Sequence, residues 1–86
     1  MREKDIRKLI SIMVQLGNIV TLNDVKDTCY DIIRANNRYD ESFKFSNSLP
    51  KQRKFEQRVR NVVCHNRFPE GVGYDNTTCS FYKLYK

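Results

Sequence analysis

Lys51–Arg67 reads KQRKFEQRVRNVVCHNR, and its pattern decides what the rest of the chain is expected to build. Phe55, Val59, Val62 and Val63 stand at i, i+4, i+7 and i+8. This spacing gathers apolar side chains on one face of an α-helix and leaves polar ones around the rest. With about 100° of rotation per residue, the polar side divides into three strips. Arg53, Arg60 and Arg67 form one edge, Lys51, Lys54, Arg58 and His65 form the other, and Gln57, Asn61 and Cys64 lie between them.

The strips predict a helix over residues 50–67 suited to the major groove of duplex DNA, with outer cations toward the phosphates and central amides toward base edges. Gln57 and Asn61 are of the type that pairs with adenine, and Arg53 or Arg60 of the type that pairs with guanine. A solvated surface helix accounts for the same cations, and Glu56 stands four residues before Arg60, where the two form an ordinary helix pair. The neighbouring segments bear on the choice.

Charge along the chain favours a polyanionic partner. The 86 residues carry a formal +6, with 40% hydrophobic and 30% charged residues, as expected of one folded domain, residues 1–86. Residues 1–43 hold seven Lys/Arg and seven Asp/Glu, whereas residues 44–86 hold nine Lys/Arg against Glu56, Glu70 and Asp75. The whole excess therefore falls in the half with the strips, which suits DNA and also an acidic protein surface. Cys29, Cys64 and Cys79 are odd in number and follow a charged start, Arg2 to Asp5, so free thiols in an intracellular protein are expected. No apolar run approaches the roughly 18 to 20 residues of a membrane span.

Upstream, Ile6, Leu9, Ile10, Met13, Val14 and Leu16 predict an amphipathic helix over residues 3–16 with that stripe in the core, ended by Gly17 and Asn18. Ile19 and Val20 suit a short addition to the edge of a sheet. Thr21, with Asp24 three residues on, caps a second helix whose buried stripe is Val25, Cys29, Ile32 and Ile33 and whose end is Asn36 and Asn37. Residues 38–49 read as a loop pinned by Phe43 or Phe45, with Ser48 and Pro50 opening the next helix. Downstream, Phe68-Pro69-Glu70-Gly71 breaks the helix, and Val72 to Tyr74 and Cys79 to Tyr85 form a hairpin around Asp75-Asn76-Thr77-Thr78. This order predicts an α+β fold, a three-helix winged helix-turn-helix with a C-terminal β-hairpin wing.

The stretches Ile10 to Leu16, Thr21-Leu22-Asn23-Asp24-Val25, Phe55 to Asn61 followed by His65-Asn66-Arg67-Phe68, and Ser80-Phe81-Tyr82-Lys83-Leu84 resemble, in order and spacing, the winged-helix superfamily. The pattern is similar to forkhead-type domains and to small winged-helix modules attached to restriction enzymes. In forkhead domains an aromatic residue opens the recognition helix, and polar residues two and six places later contact bases. By this resemblance those places fall on Gln57 and Asn61. Phe55 stands where forkheads carry Trp, and Val62 where they usually carry Asn, so the resemblance is to the superfamily.

Chemistry is not expected. Cys64 and His65 point about 100° apart on a helix and no Cys-x-x-Cys pair is present, so neither a zinc site nor a Cys-His catalytic pair is expected. No glycine loop suits a nucleotide phosphate, and no cofactor is expected. Tyr74, Phe81, Tyr82 and Tyr85 offer stacking for single-stranded bases, but half of them are needed under the hairpin.

The function expected is occupancy of duplex DNA by a regulator of transcriptional or phage and plasmid type. Gln57 and Asn61 read bases with Arg53 or Arg60, Lys51, Lys54, Arg58, His65 and Arg67 hold phosphates, and Lys83 with Lys86 brings the wing to the backbone. The rival is a protein-interaction module or inhibitor that binds an acidic partner, or dimerises, through the same basic face.

Overall fold

Ile6, Ile10 and Val14, four apart, are buried along one line of the first helix, α1 (Glu3–Gly17). The computed structural model describes residues 1–17, 19–36, 40–47 and 51–84. The expected stops Asn18 and Asn37, the opening pair Ser48 and Pro50, and the terminal Tyr85 and Lys86 lie outside the described residues. Leu16 departs from the expected core stripe and is 83% exposed. Two residues past Val14 on a helix is a turn of about 200°, so Leu16 cannot share the inward line.

Strand β1 (Ile19–Thr21) leads directly into helix α2 (Leu22–Asn36). Its start is the expected reciprocal cap: the Asp24 amide donates to Thr21 Oγ1 at 3.0 Å, and the Thr21 amide donates to Asp24 Oδ2 at 3.0 Å. Two amides that a helix start would leave orphaned are thereby satisfied. Val25, Cys29 and Ile33 are buried and Ile32 is half-buried. Burial among apolar neighbours pushes the Cys29 thiol up to about 11, as for a small core residue.

The connection toward the third helix has structure that local patterning did not predict. A single 3-10 turn spans Glu41–Phe43, capped by Asp40, whose carboxylate accepts from the Ser42 amide at 2.7 Å. Phe43 lies 5.3 Å from the Tyr30 ring and 6.3 Å from Phe55, so it is the pinning aromatic, while Phe45 is 56% exposed. Residues 44–46 then run antiparallel to residues 52–54 as a short bridge, with the Ser46 amide on Gln52 O at 2.7 Å and the Lys54 amide on Lys44 O at 2.9 Å.

Helix α3 is Lys54–Cys64, shorter than the expected 50–67. Asn66, at φ 52°, turns the chain left-handed, with the Arg67 amide donating to Val62 O and the Asn66 amide to Val63 O. This pair of bonds closes the helix a turn before Phe68-Pro69. Phe55, Val59 and Val62 are buried, and Val63 is half-buried against the same core.

The hairpin comprises β2 (Val72–Asp75) and β3 (Ser80–Lys83). Cys79, at φ 51°, belongs to the turn, so β3 starts one residue later than the expected strand. Both neighbours pair antiparallel with β3, giving the sheet order β1-β3-β2, with Val20 opposite Phe81 and Phe81 opposite Tyr74. Phe68, just past α3, stacks on Tyr74 at 5.9 Å and meets Phe81 edge-on at 6.3 Å, joining sheet to helices. Among the described residues the architecture is thus α+β, three helices with a three-stranded antiparallel sheet. No helix among them is long and apolar enough to cross a membrane.

Candidate nucleic-acid interface

With Phe55, Val59 and Val62 turned inward, the opposite side of α3 presents Arg60, Asn61 and Cys64, all exposed, followed by exposed His65. Gln57 is half-buried and has interactions of its own within the chain. The amide strip expected from the sequence therefore has an open half at Asn61 and a partly covered half at Gln57. Arg60 makes no ion pair among the described residues, and the expected Glu56 pairing is not among those formed.

The two cationic edges do not run as continuous rails, because α3 supplies only part of each. On one edge only Arg60 is helical: Arg53 is the residue preceding the first turn, and Arg67 follows the left-handed turn at Asn66. On the other, Lys54 and Arg58 are helical, Lys51 precedes the helix, and His65 is its C-terminal cap.

Four of the seven cations on the two edges, counting His65, also hold the chain's own groups. Arg53 Nη1 donates to Phe43 O at 2.7 Å, and its guanidinium lies 4.0 Å from the Phe43 ring centre, 4.4 Å from Phe45 and 5.7 Å from Tyr30. Arg58 Nη1 donates to the Met1 carbonyl at 2.6 Å. Lys54 pairs with Glu41 at 2.9 Å, and Arg67 with Glu3 at 3.1 Å. The Lys54 ammonium holds the Glu41 carboxyl below its ordinary range by hydrogen bond and charge. These two pairs are open to solvent, where water and salt screen the attraction, so neither ties its cation down firmly. Arg53 is different in kind, since a carbonyl and the rings of Phe43 and Phe45 hold it at once.

Lys51 is exposed beside the start of α3. Lys83 is exposed at the base of the hairpin, opposite Val72, where it borders a cavity of about 300 Å³ with Ser11 and Gln15 of α1. The hairpin tip, Asp75 to Cys79, carries no cation. Lys86, the second expected wing cation, lies outside the described residues. Of the hairpin aromatics, Phe81 is buried and Tyr74 half-buried, which leaves Tyr82, 38% exposed, as the open ring among the described residues.

Local spacing missed the acidic and terminal partners of these cations. Glu3 meets Arg67 across 64 positions and Met1 meets Arg58 across 57, distances over which helical periodicity carries no signal. The chain terminus is further tied down by its ammonium group, which donates to Asp40 Oδ1 at 2.8 Å and to Ser42 Oγ at 2.6 Å. No known protein family, curated protein or solved structure matches the chain.

Proposed function

We propose that the chain is a small winged-helix protein that binds duplex DNA through α3 and acts as a regulator by occupancy. The observation that carries the reading is the rotation of α3: its apolar side is sealed into the core while Arg60 and Asn61 stand exposed on the far side. The element order α1-β1-α2-α3-β2-β3 with β3 central supports the winged-helix reading. The charge excess of residues 44–86 supplies long-range attraction to a polyanion. In this reading Asn61 reads adenine with Gln57 beside it, Arg60 is the guanine contact, and Lys51 holds phosphate from the start. Lys54 and Arg67 join by leaving Glu41 and Glu3, whereas Arg53 and Arg58 keep the helix in place.

Titrating the protein with random-sequence duplex over a range of salt tests this. One phosphate contact, Lys51, gives a slope of log K against log salt of about −1, and three, with Lys54 and Arg67, about −3. The rival, in which the basic face binds an acidic protein or a second copy, draws on the same cations and on the self-engagement of Arg53 and Arg58. Absence of duplex binding at low salt decides for that rival.

A further inference from the structure

Helix α1 carries two apolar lines, and the fold covers only one. Ile6, Ile10 and Val14 are buried, whereas Leu9, Ile12, Met13 and Leu16, at i, i+3, i+4 and i+7, run along the adjacent side. Leu9 and Met13 are partly covered, Ile12 is 45% exposed and Leu16 is the most open large apolar side chain of the described residues. Beside the end of this line lies a groove of about 490 Å³, with Met13, Leu16 and Val20 on one side and Asp24, Asp27 and Asp31 of α2 on the other. The three aspartates stand at i, i+3 and i+7 and so share one face of their helix. The Asp24 carboxylate accepts from the Thr21 amide, while Asp27 and Asp31 make no ion pair among the described residues. Among the described residues, no cation lines the groove.

We infer that this groove is a docking site for a cationic amphipathic helix of a partner protein. An apolar floor takes apolar anchors repeating at i, i+3 or i+4 and i+7, and the acidic wall takes Lys or Arg on the flank of the same helix. Charge complementarity also singles out the site. The chain as a whole is at +6, so a basic ligand is repelled by the molecule at large and attracted where carboxylates cluster without cations. A second copy of the chain suits the groove less well. A twofold contact would bring the same three carboxylates from each copy into one interface with no groove cation to offset them. Neither Arg60 nor Asn61 lines the groove, so the inference stands apart from the DNA reading.

The test uses the full chain and a fluorescent synthetic helix with leucines on one face and lysines on the other, beside the same peptide with glutamates for lysines. The lysine peptide is expected to bind at least about tenfold more tightly, with amide shifts concentrated in residues 9–17, 19–20 and 24–31. Asp27→Asn with Asp31→Asn is expected to weaken it about tenfold, and Leu16→Ser to weaken it without altering thermal unfolding. Equal binding of the two peptides overturns the inference, as does binding indifferent to these substitutions or amide shifts centred on α3. Self-association abolished by Leu16→Ser, with no peptide bound, overturns it in favour of a second copy.

Discussion

Replacing Arg53 by Ala separates a strut from a base contact. The substitution removes a charged donor 2.7 Å from the Phe43 carbonyl, a bond worth about 1.5 to 3 kcal/mol. It also removes a guanidinium 4.0 Å and 4.4 Å from the Phe43 and Phe45 ring centres, each stacking contributing about 0.5 to 1 kcal/mol at a partly open site. Tyr30, at 5.7 Å, sits near the outer limit of such attraction and adds little. These contributions put the expected loss at about 2.5 to 5 kcal/mol, and its midpoint of about 4 kcal/mol lowers Tm by about 16 to 32 °C in a domain of this size. Circular dichroism during heating reads the shift, and urea unfolding confirms it as a lower midpoint at unchanged slope. Arg53→Lys keeps the charge but not the planar fork and should recover less than half of the loss. Arg60→Ala, at an exposed position with no ion pair among the described residues, should stay within about 0.5 kcal/mol of the parent. Should Arg53→Ala instead unfold like the parent while losing affinity for one duplex sequence and not another, the strut is refuted and the base contact stands.

Asn61→Ala should cost about 1 to 3 kcal/mol of discrimination between duplexes that differ at one adenine, measured by competition at fixed salt, with stability unchanged. Glu41→Gln should release Lys54 and raise affinity for all duplexes about two- to fivefold, steepening the salt slope by about 0.9. The ammonium of Met1, and then Ser42, hold the Asp40 carboxyl well below the usual carboxylate range. Its contribution is therefore complete above the unfolded value near about 4 and is lost as pH falls toward the depressed folded value. Urea midpoints between neutral and acid pH should drop more for the parent than for Asp40→Asn. A methyl group at Gly73 would lie 2.5 Å from Cζ of Tyr82, whose ring covers that residue from β3. Gly73→Ala should thus displace the ring and cost about 1 to 3 kcal/mol in thermal unfolding, with little further loss once Tyr82→Ala is present.

Where periodicity and capping operate within one turn, the chain was legible. The Val25, Cys29 and Ile33 stripe, the Thr21 and Asp24 cap and the inward set Phe55, Val59 and Val62 all follow from spacing alone. The end of α2 at Asn36 was legible, but the end of α3 was not. Asn66 takes the left-handed turn that stops α3, and nothing in Cys64-His65-Asn66-Arg67 marks it more strongly than continued helix. A wheel drawn through Arg67 consequently aligned three arginines that the backbone places in three settings. Leu16 misled for the opposite reason, since a helix can repeat apolar residues on two adjacent lines and only packing shows which is covered. The partners of Arg53, Arg58 and Arg67 come from other segments, so exposure of cationic side chains could be predicted by type but not their prior engagement.

The sheet is built around its last strand. Thr21 and Asp75 both depend on Ser80, and Ile19 and Gly73 both on Tyr82, so neither outer strand has a partner until residues 80–83 arrive. A growing polypeptide can coil its three helices early but closes the barrier between core and water only after this segment emerges. Removing it would strip two strands of their hydrogen bonds at once and uncover the rings of Phe68 and Tyr74. Such a fragment should be sticky during synthesis and rapidly cleared.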